Sequence, residues 1–420
     1  MRKILLSLMC FSFCVGLSAV EENTIVLKGA TLLTVTQGTL ENGTVIISGG
    51  KIVGVGRDIK IPDKAQIIDV SGMIITPGLV DSHSHLGLGP SGGVTEDNEG
   101  SDPNTPQLRI IDSIHPEGVA PHQYSFKDSV AQGVTTVIAR PGSGNVIGGQ
   151  SAALKLTGRT VDDMVLVFPC DMKMAMGRKG NYSAQGRLPV TKMGTAYIVR
   201  KAMIDAMEYK KSLDRYEIEK KKNPQTPPPK RNLKDEAMLQ VLDRKLPVHI
   251  HASPVDDIMT AVRLADEFKF LKLSLAHAEE SYKVADELAE RGVVVVVGPM
   301  MIAFDDNGNL INLADFLVKK GVEVNIMTDA DVVQQEFLRF QAAIAVKYGM
   351  DPLEALKAVT LNPAKLVGMS DRIGSIEEGK DADLVVFNGD PFDTQTEVQM
   401  TLIDGKIVYV NDEGEVKEMR

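Results

Sequence analysis

The sequence predicts a (β/α)8 TIM barrel joined to a small β-sandwich domain composed of the N- and C-terminal segments. Three observations carry the prediction. Through the middle of the 420 residues, short continuous apolar runs recur with helical segments between them, and continuous apolarity marks strands buried on both faces, as in parallel sheets. There are eight such runs, the number one barrel requires. At both ends of the chain the rhythm changes to shorter β-rich runs broken by turns, as in a small antiparallel domain.

Taken in order, residues 1–19 read as a signal peptide: basic Arg2 and Lys3, an apolar stretch from Ile4 to Leu17, then small Ser18 and Ala19 before acidic Glu21 and Glu22. The apolar stretch is shorter than the roughly 20 residues a membrane span needs. Residues 24–72 contain "TIVLKGATLLTV", "GTVIISGGKIVGVG" and "AQIIDVSG", and residues 371–420 contain "IGSIEEGKDADLVVFNG" and "MTLIDGKIVYV". These two segments are expected to form one composite β domain, with Ser375–Asp383 as a solvated turn. The barrel occupies 73–370. Its strands are expected at 78–83, 134–140, 151–156, 164–169, 247–252, 271–278, 293–299 and 322–329. Helical patterns such as "DDIMTAVRLADEFKF" and "ESYKVADELAERG" fall between them. The stretch 219–234, with three consecutive prolines and many charges, reads as a surface loop after a helix.

Composition bounds the function. The formal charge is −10, and nothing suggests the clustered basic face that nucleic acid demands. Cys10 and Cys14 lie in the leader, so Cys170 is the one cysteine of the mature chain and no intramolecular disulfide can form. A packed, inert thiol is the expectation for it. With the leader cleaved no membrane association is expected, and a homo-oligomer is left open.

The chemistry gathers at strand ends. "LVDSHSHLG" closes an apolar run with His83 and His85, and "PVHIHA" carries a second pair, His249 and His251. Side chains at i and i+2 of a strand point the same way, so each pair can converge at the carboxyl end of the barrel, where active sites form. His277 ends the sixth run and Asp329 the eighth. Imidazoles and a carboxylate are ligands that a divalent ion such as Zn2+ accepts, with one position open for water.

With "ITPGLVDSHSHL", "PVHIHA", "LAHA", "MTDA" and "LKAVTLNPAKLVGMSDRIGSIEEGKDADLVVFNGDP" on the page, the chain resembles the metal-dependent amidohydrolase superfamily in its imidazolonepropionase-like branch, nearly end to end. The resemblance implies that His83, His85 and Asp329 hold one metal, while His251 and His277 serve a second metal or contact substrate. It assigns the ligand role in the second pair to His251 and leaves His249 as a packed or supporting residue. In binuclear relatives a lysine after the fourth strand is carboxylated and bridges the two ions, and Lys173 stands in that place. The alternative for Lys173 is a point charge that binds a substrate carboxylate. A bound divalent ion lowers the pKa of water toward roughly 7 and polarises a carbonyl. Asp329 is then expected to take the proton and deliver it to the leaving nitrogen, with His277 beside it.

Weaker signals surround this set. The glycine-rich "PGSGNVIGGQS" (141–151) reads as a tight active-site turn or an anion cradle, Arg140 and Arg178 as candidate carboxylate contacts, and His115 and His122 as residues without ligand spacing. The expected activity is that of an exported, periplasmic hydrolase cleaving a C–N bond in an amide, cyclic amide or dipeptide-like small molecule. The alternatives are a mononuclear deaminase-like hydrolase using His83, His85 and Asp329, and a non-catalytic periplasmic binding protein on the same scaffold.

Overall fold

The computed structural model describes residues 24–91, 94–116, 126–305, 307–330, 332–411 and 417–419. The leader expected at 1–19 and His122 lie outside them. Strands from both ends of the chain hydrogen-bond into one nine-stranded sheet. Its main path runs Lys406–Val410, Val398–Ile403, Leu384–Phe387, Ile74–Pro77, Ile25–Leu33, Thr39–Ser48 and Lys51–Gly56. The sheet forks at Ile25–Leu33, whose first residues pair in parallel with Gln66–Asp69 and whose last pair in parallel with Ile74–Pro77. The fork lets two arms share one core: Leu32, Ile47 and Ile52 pack in the same cluster as Leu384, Val386, Met400 and Leu402.

Ile74–Pro77 leads directly into the first barrel strand, Leu79–Ser84. The barrel wall continues with Val134–Ala139, and on its far side with Met172–Ala175, Val248–Ala252, Leu273–His277, Val294–Val297 and Val324–Ile326, each parallel to the next. Between the two parallel groups the chain runs backwards. Ala152–Lys155 is antiparallel to Val134–Ala139, and Ile147–Gln150 is antiparallel to Met172–Ala175.

This corrects the third and fourth expected strands. The third position is filled by a reversed strand. The run 164–169 is a short strand, Val165–Val167, antiparallel to Ala152–Lys155; the fourth barrel strand lies later, at Met172–Ala175. The reason is connection length. A parallel crossover needs a dozen or more residues, and the expected strands 134–140, 151–156 and 164–169 leave too few between them.

The continuous apolar runs are buried on both faces, as expected. In Val294–Val297, Val295 and Val297 pack outward with the helices, while Val294 and Val296 join a separate interior cluster with Ile138, Ala153 and Met327. The barrel closes between first and last strands through polar contacts near its mouth. Asp329 N–H donates to the His83 carbonyl (3.1 Å), His85 N–H to the Ala330 carbonyl (2.6 Å), and Ser82 Oγ to the Ile326 carbonyl (2.8 Å). Asp81 adds a clamp, accepting from Thr328 Oγ1 at 2.5 Å and from the backbone of His83 at 3.2 Å.

Ser375–Asp383 is not a solvated turn. Asp381 and Asp383 are buried there and meet Lys155 of the reversed barrel strand, whose Nζ lies 2.8 Å from Asp381 and 3.1 Å from Asp383 and also contacts Asp404. Lys51 and Arg372 hold Asp381 from the sheet side, at 2.5 and 2.8 Å. Charges that look solvated in sequence thus rivet the sheet to the barrel. The long helix Lys192–Lys222 gives way to the proline loop as expected. No helix among the described residues is long and apolar enough to cross a membrane.

Candidate metal centre

Strand parity explains most of the site. In Met172–Ala175 and Val248–Ala252, residues Met172, Met174, Val248, Ile250 and Ala252 pack outward in the core beneath the helices, which leaves Lys173, His249 and His251 to face the barrel interior. His277 breaks this rule. It shares parity with outward-packed Leu273 and Leu275, but its backbone is left-handed, with φ +65°, and its ring comes to lie 4.5 Å from that of His251. Asp329 is also left-handed, at φ +52°. Non-glycine residues held this way cost on the order of 1–3 kcal/mol each and cluster at functional sites.

Three of the expected residues meet around the carboxylate of a fourth, Asp329. His83 Nε2 and His85 Nε2 each lie 3.4 Å from Asp329 Oδ1, and His277 Nε2 lies 3.8 Å from Oδ2. The Nδ1 atom of every one of these imidazoles is engaged elsewhere. His85 Nδ1 meets the Arg140 carbonyl (2.7 Å) and His277 Nδ1 the Gly298 carbonyl (2.9 Å), so both carry hydrogen on Nδ1, and in the neutral tautomer each presents a lone pair at Nε2. His83 Nδ1 lies 2.8 Å from His249 Nε2, and His249 Nδ1 lies 2.7 Å from Ser274 Oγ. With protons on both Nδ1 atoms the relay is complete, and His83 Nε2 also becomes a lone-pair donor. Both His249 nitrogens are thus engaged, one with His83 and one with Ser274, which places the ring behind His83.

Burial favours the neutral form of three rings: it lowers His83 and His249 well below the ordinary histidine value, and His277 below it as well. Burial pushes Asp329 up, but the hydrogen bond and charge of His85, with His277 and Lys173, outweigh it and hold the acid at about 2. The ligand atoms of His83, His85 and Asp329 all fall within 4.8 Å of one another. His83 Nε2 is buried with no hydrogen-bond partner among the described residues. Neutral imidazoles, a carboxylate and an otherwise orphaned nitrogen fit a divalent ion.

His251 stands beside this trio through its contact with His277. Lys173 is placed within the fourth strand instead of after it, level with His249, and its Nζ donates to the Pro141 carbonyl at 2.9 Å. Burial lowers its pKa to about 7, with Asp329 opposing the fall, so a neutral amine is accessible at that position. Arg140 is not free for substrate: fully buried, it pairs with Asp171 at 2.6 Å and also contacts the Ser82 carbonyl. Arg178 and His115 are exposed. Cys170 is buried, and burial, with Asp171 next, raises its thiol well above the ordinary value, so it is an inert thiol.

The glycine-rich turn has a packing explanation. Gly144 N–H donates to Asn98 Oδ1 at 2.7 Å, and a Cβ at Gly144 would sit 2.6 Å from that oxygen. The turn docks on the loop at 97–98 and brings the carbonyls of Pro141 and Ser143 over the two buried lysines, Lys173 and Lys179. Lys179 was not legible in sequence, since nothing separates it there from exposed Arg178.

Comparison with known proteins places this geometry. A model of the amidohydrolase family matches residues 74–408. The crystal structure of an amidohydrolase from Thermotoga maritima MSB8 is 37% identical, covering 92% of this chain and all of the other, with a TM-score of 0.83. The imidazolonepropionase of Geobacillus thermodenitrificans is 27% identical over 83% of this chain and 84% of its own length. The amidohydrolase tasK of Hapsidospora irregularis is 28% identical over 86% of this chain, which spans 39% of that longer protein.

Proposed function

Because the chain belongs to the amidohydrolase family, hydrolases of carbon–nitrogen bonds, we propose that it is an exported, periplasmic metal-dependent enzyme acting on an amide, a cyclic amide or a dipeptide-like small molecule. One observation carries the reading: three imidazole Nε2 atoms converge on the Asp329 carboxylate while every matching Nδ1 is committed to the protein. Export is supported by the basic, apolar and small-residue order of 1–19.

His83, His85 and Asp329 would hold a divalent ion, with Zn2+ the ion their chemistry suits best, and His251, His277 and a carboxylated Lys173 would complete a second position. When bound, such an ion supplies Lewis acidity and water of lowered pKa. The chain's own groups do the rest. Asp329, ionised and held at the mouth by His85 and His277, accepts the proton of the attacking water as oxygen bonds to the substrate carbonyl carbon. It then returns that proton to the nitrogen as the C–N bond breaks, so one carboxylate serves both steps. His277, fixed by the Gly298 carbonyl, stands with its Nε2 3.8 Å from Oδ2, beside the carboxylate that moves the proton.

The test is turnover by metal-loaded protein on a panel of dipeptides, N-acylamino acids and lactams, with Asp329→Asn as the control. Hydrolysis that falls roughly 10²–10⁴-fold in the variant supports the reading. Stoichiometric metal with no turnover on any substrate would favour a binding protein instead.

A further inference from the structure

We infer that Lys179 anchors a carboxylate carried by the substrate, which narrows the reading above to dipeptides and other amides bearing a free acid; the inference rests on that reading. Three cations are buried around the histidines: Arg140, Lys173 and Lys179, at 0%, 1% and 4% exposure. One of them has an acid in contact: Arg140 is paired with Asp171. Lys173 donates to the Pro141 carbonyl, and the acid at the centre of the histidine cluster, Asp329, acts on it from further off.

Lys179 has no such partner. Among the described residues no carboxylate comes within 4.0 Å of its Nζ, which instead donates to the Ser143 carbonyl (3.0 Å) and the Met176 carbonyl (2.7 Å). The acid that acts on it is Asp257, and that carboxylate already lies 3.1 Å from Lys192. Two carbonyls use two of the three ammonium hydrogens. One donor and one full charge are left over, and a buried charge without a counter-ion is costly. Burial accordingly lowers the group to about 8.

Its place says what the spare charge is for. Lys179 follows the fourth barrel strand by four residues, at the carboxyl end of the barrel. It shares its turn with Lys173: the Pro141 carbonyl accepts from Lys173 and the Ser143 carbonyl from Lys179, so the two ammonium groups lie under one loop. Its two carbonyl partners come from the turn bearing Gly144 and from the strand end, so the ammonium is fixed rather than swinging in solvent. On a chain of net charge −10, such a fixed positive point beside the site is what an anionic substrate requires. A single ammonium with one free hydrogen matches a monoanionic carboxylate better than a phosphate, whose several oxygens call for more donors.

The test compares metal-loaded wild type with Lys179→Met on a panel of unblocked dipeptides and on the C-terminal amides of the same dipeptides. For wild type, kcat/KM is expected to favour the free acid by roughly 10- to 100-fold, the range of one charge-assisted hydrogen bond, with most of the difference in KM. In Lys179→Met that ratio is expected to collapse to about 1. A wild type that shows no preference, or a variant that loses equally on both series and keeps the ratio, overturns the inference. Binding separates this from failure of the parent reading. Calorimetric titration of N-acetylleucine and N-acetylleucinamide requires no turnover, and the acid is expected to bind wild type at least ~10-fold tighter and Lys179→Met no tighter than the amide. Equal binding of acid and amide by wild type overturns the anchor even where hydrolysis is found. A preference lost in the variant sustains it even where hydrolysis is not.

Discussion

Replacing Lys155 with Met should loosen the joint between sheet and barrel in a manner that depends on pH. The side chain is 5% exposed, and its partners Asp381 and Asp383 are 2% and 3% exposed. Removing one member of a buried ionic group costs about 3–5 kcal/mol, because a charge is left without its partner. Asp381 keeps Lys51 and Arg372, so the orphan is Asp383 and the lower end, about 3 kcal/mol, applies. An unfolding entropy of roughly 2.1 cal/mol/K per residue amounts to about 0.9 kcal/mol/K for a chain of this length, which converts the loss to a fall in Tm of about 3 °C.

The sign with pH follows from Asp383. Burial raises its folded pKa from 3.8 to about 6, with Lys155 holding it back from going higher. An acid raised on folding contributes most at low pH, and that contribution is lost as pH rises through the folded value. Without Lys155 the folded value climbs further. At pH 5 the acid takes up a proton and most of the penalty disappears; at pH 8 it must stay charged or unfold. Differential scanning calorimetry of wild type and Lys155→Met is expected to show a gap of about 3 °C at pH 8 and less than half of that at pH 5. Equal gaps at the two pH values, or a gap under about 1 °C at pH 8, would refute the reasoning.

Two further outcomes are expected at the site. His249→Phe keeps a ring in the interior but removes the acceptor for His83 Nδ1, so metal affinity should fall roughly 10- to 100-fold, measured by competition with a chromophoric chelator; unchanged affinity would show that His249 only fills space. Gly298→Ala would place a Cβ 2.5 Å from the Met327 carbonyl at φ +138°. The backbone must then move the carbonyl that fixes His277, and kcat should drop by on the order of 10²-fold with the fold retained by circular dichroism.

Much of this was readable from the residues. The two His-x-His pairs could be named because strand alternation says where a side chain must point, and His277 and Asp329 because each closes an apolar run. The family resemblance separated His249 from His251, with its deeper place in the strand agreeing, and the structure gives it a hydrogen bond to His83. Three things resisted. His277 has outward parity, and only its left-handed backbone returns it to the mouth. The reversed third strand was hidden because its apolarity is the same in either direction, although the short connections on both sides forbade a parallel crossover. Lys155, Asp381 and Asp383 look like surface charges until residues more than 220 positions apart are brought together. Local pattern encodes burial and direction; long-range pairing of charge it does not encode.

The central claim is that His83, His85 and Asp329 gather to hold a divalent cation. Elemental analysis of protein equilibrated with Zn2+ and then desalted tests it most directly, comparing wild type with His83→Ala. The account predicts at least one ion per wild-type chain and a substoichiometric content in the variant. Equal content in the two proteins, or none in either, would contradict it.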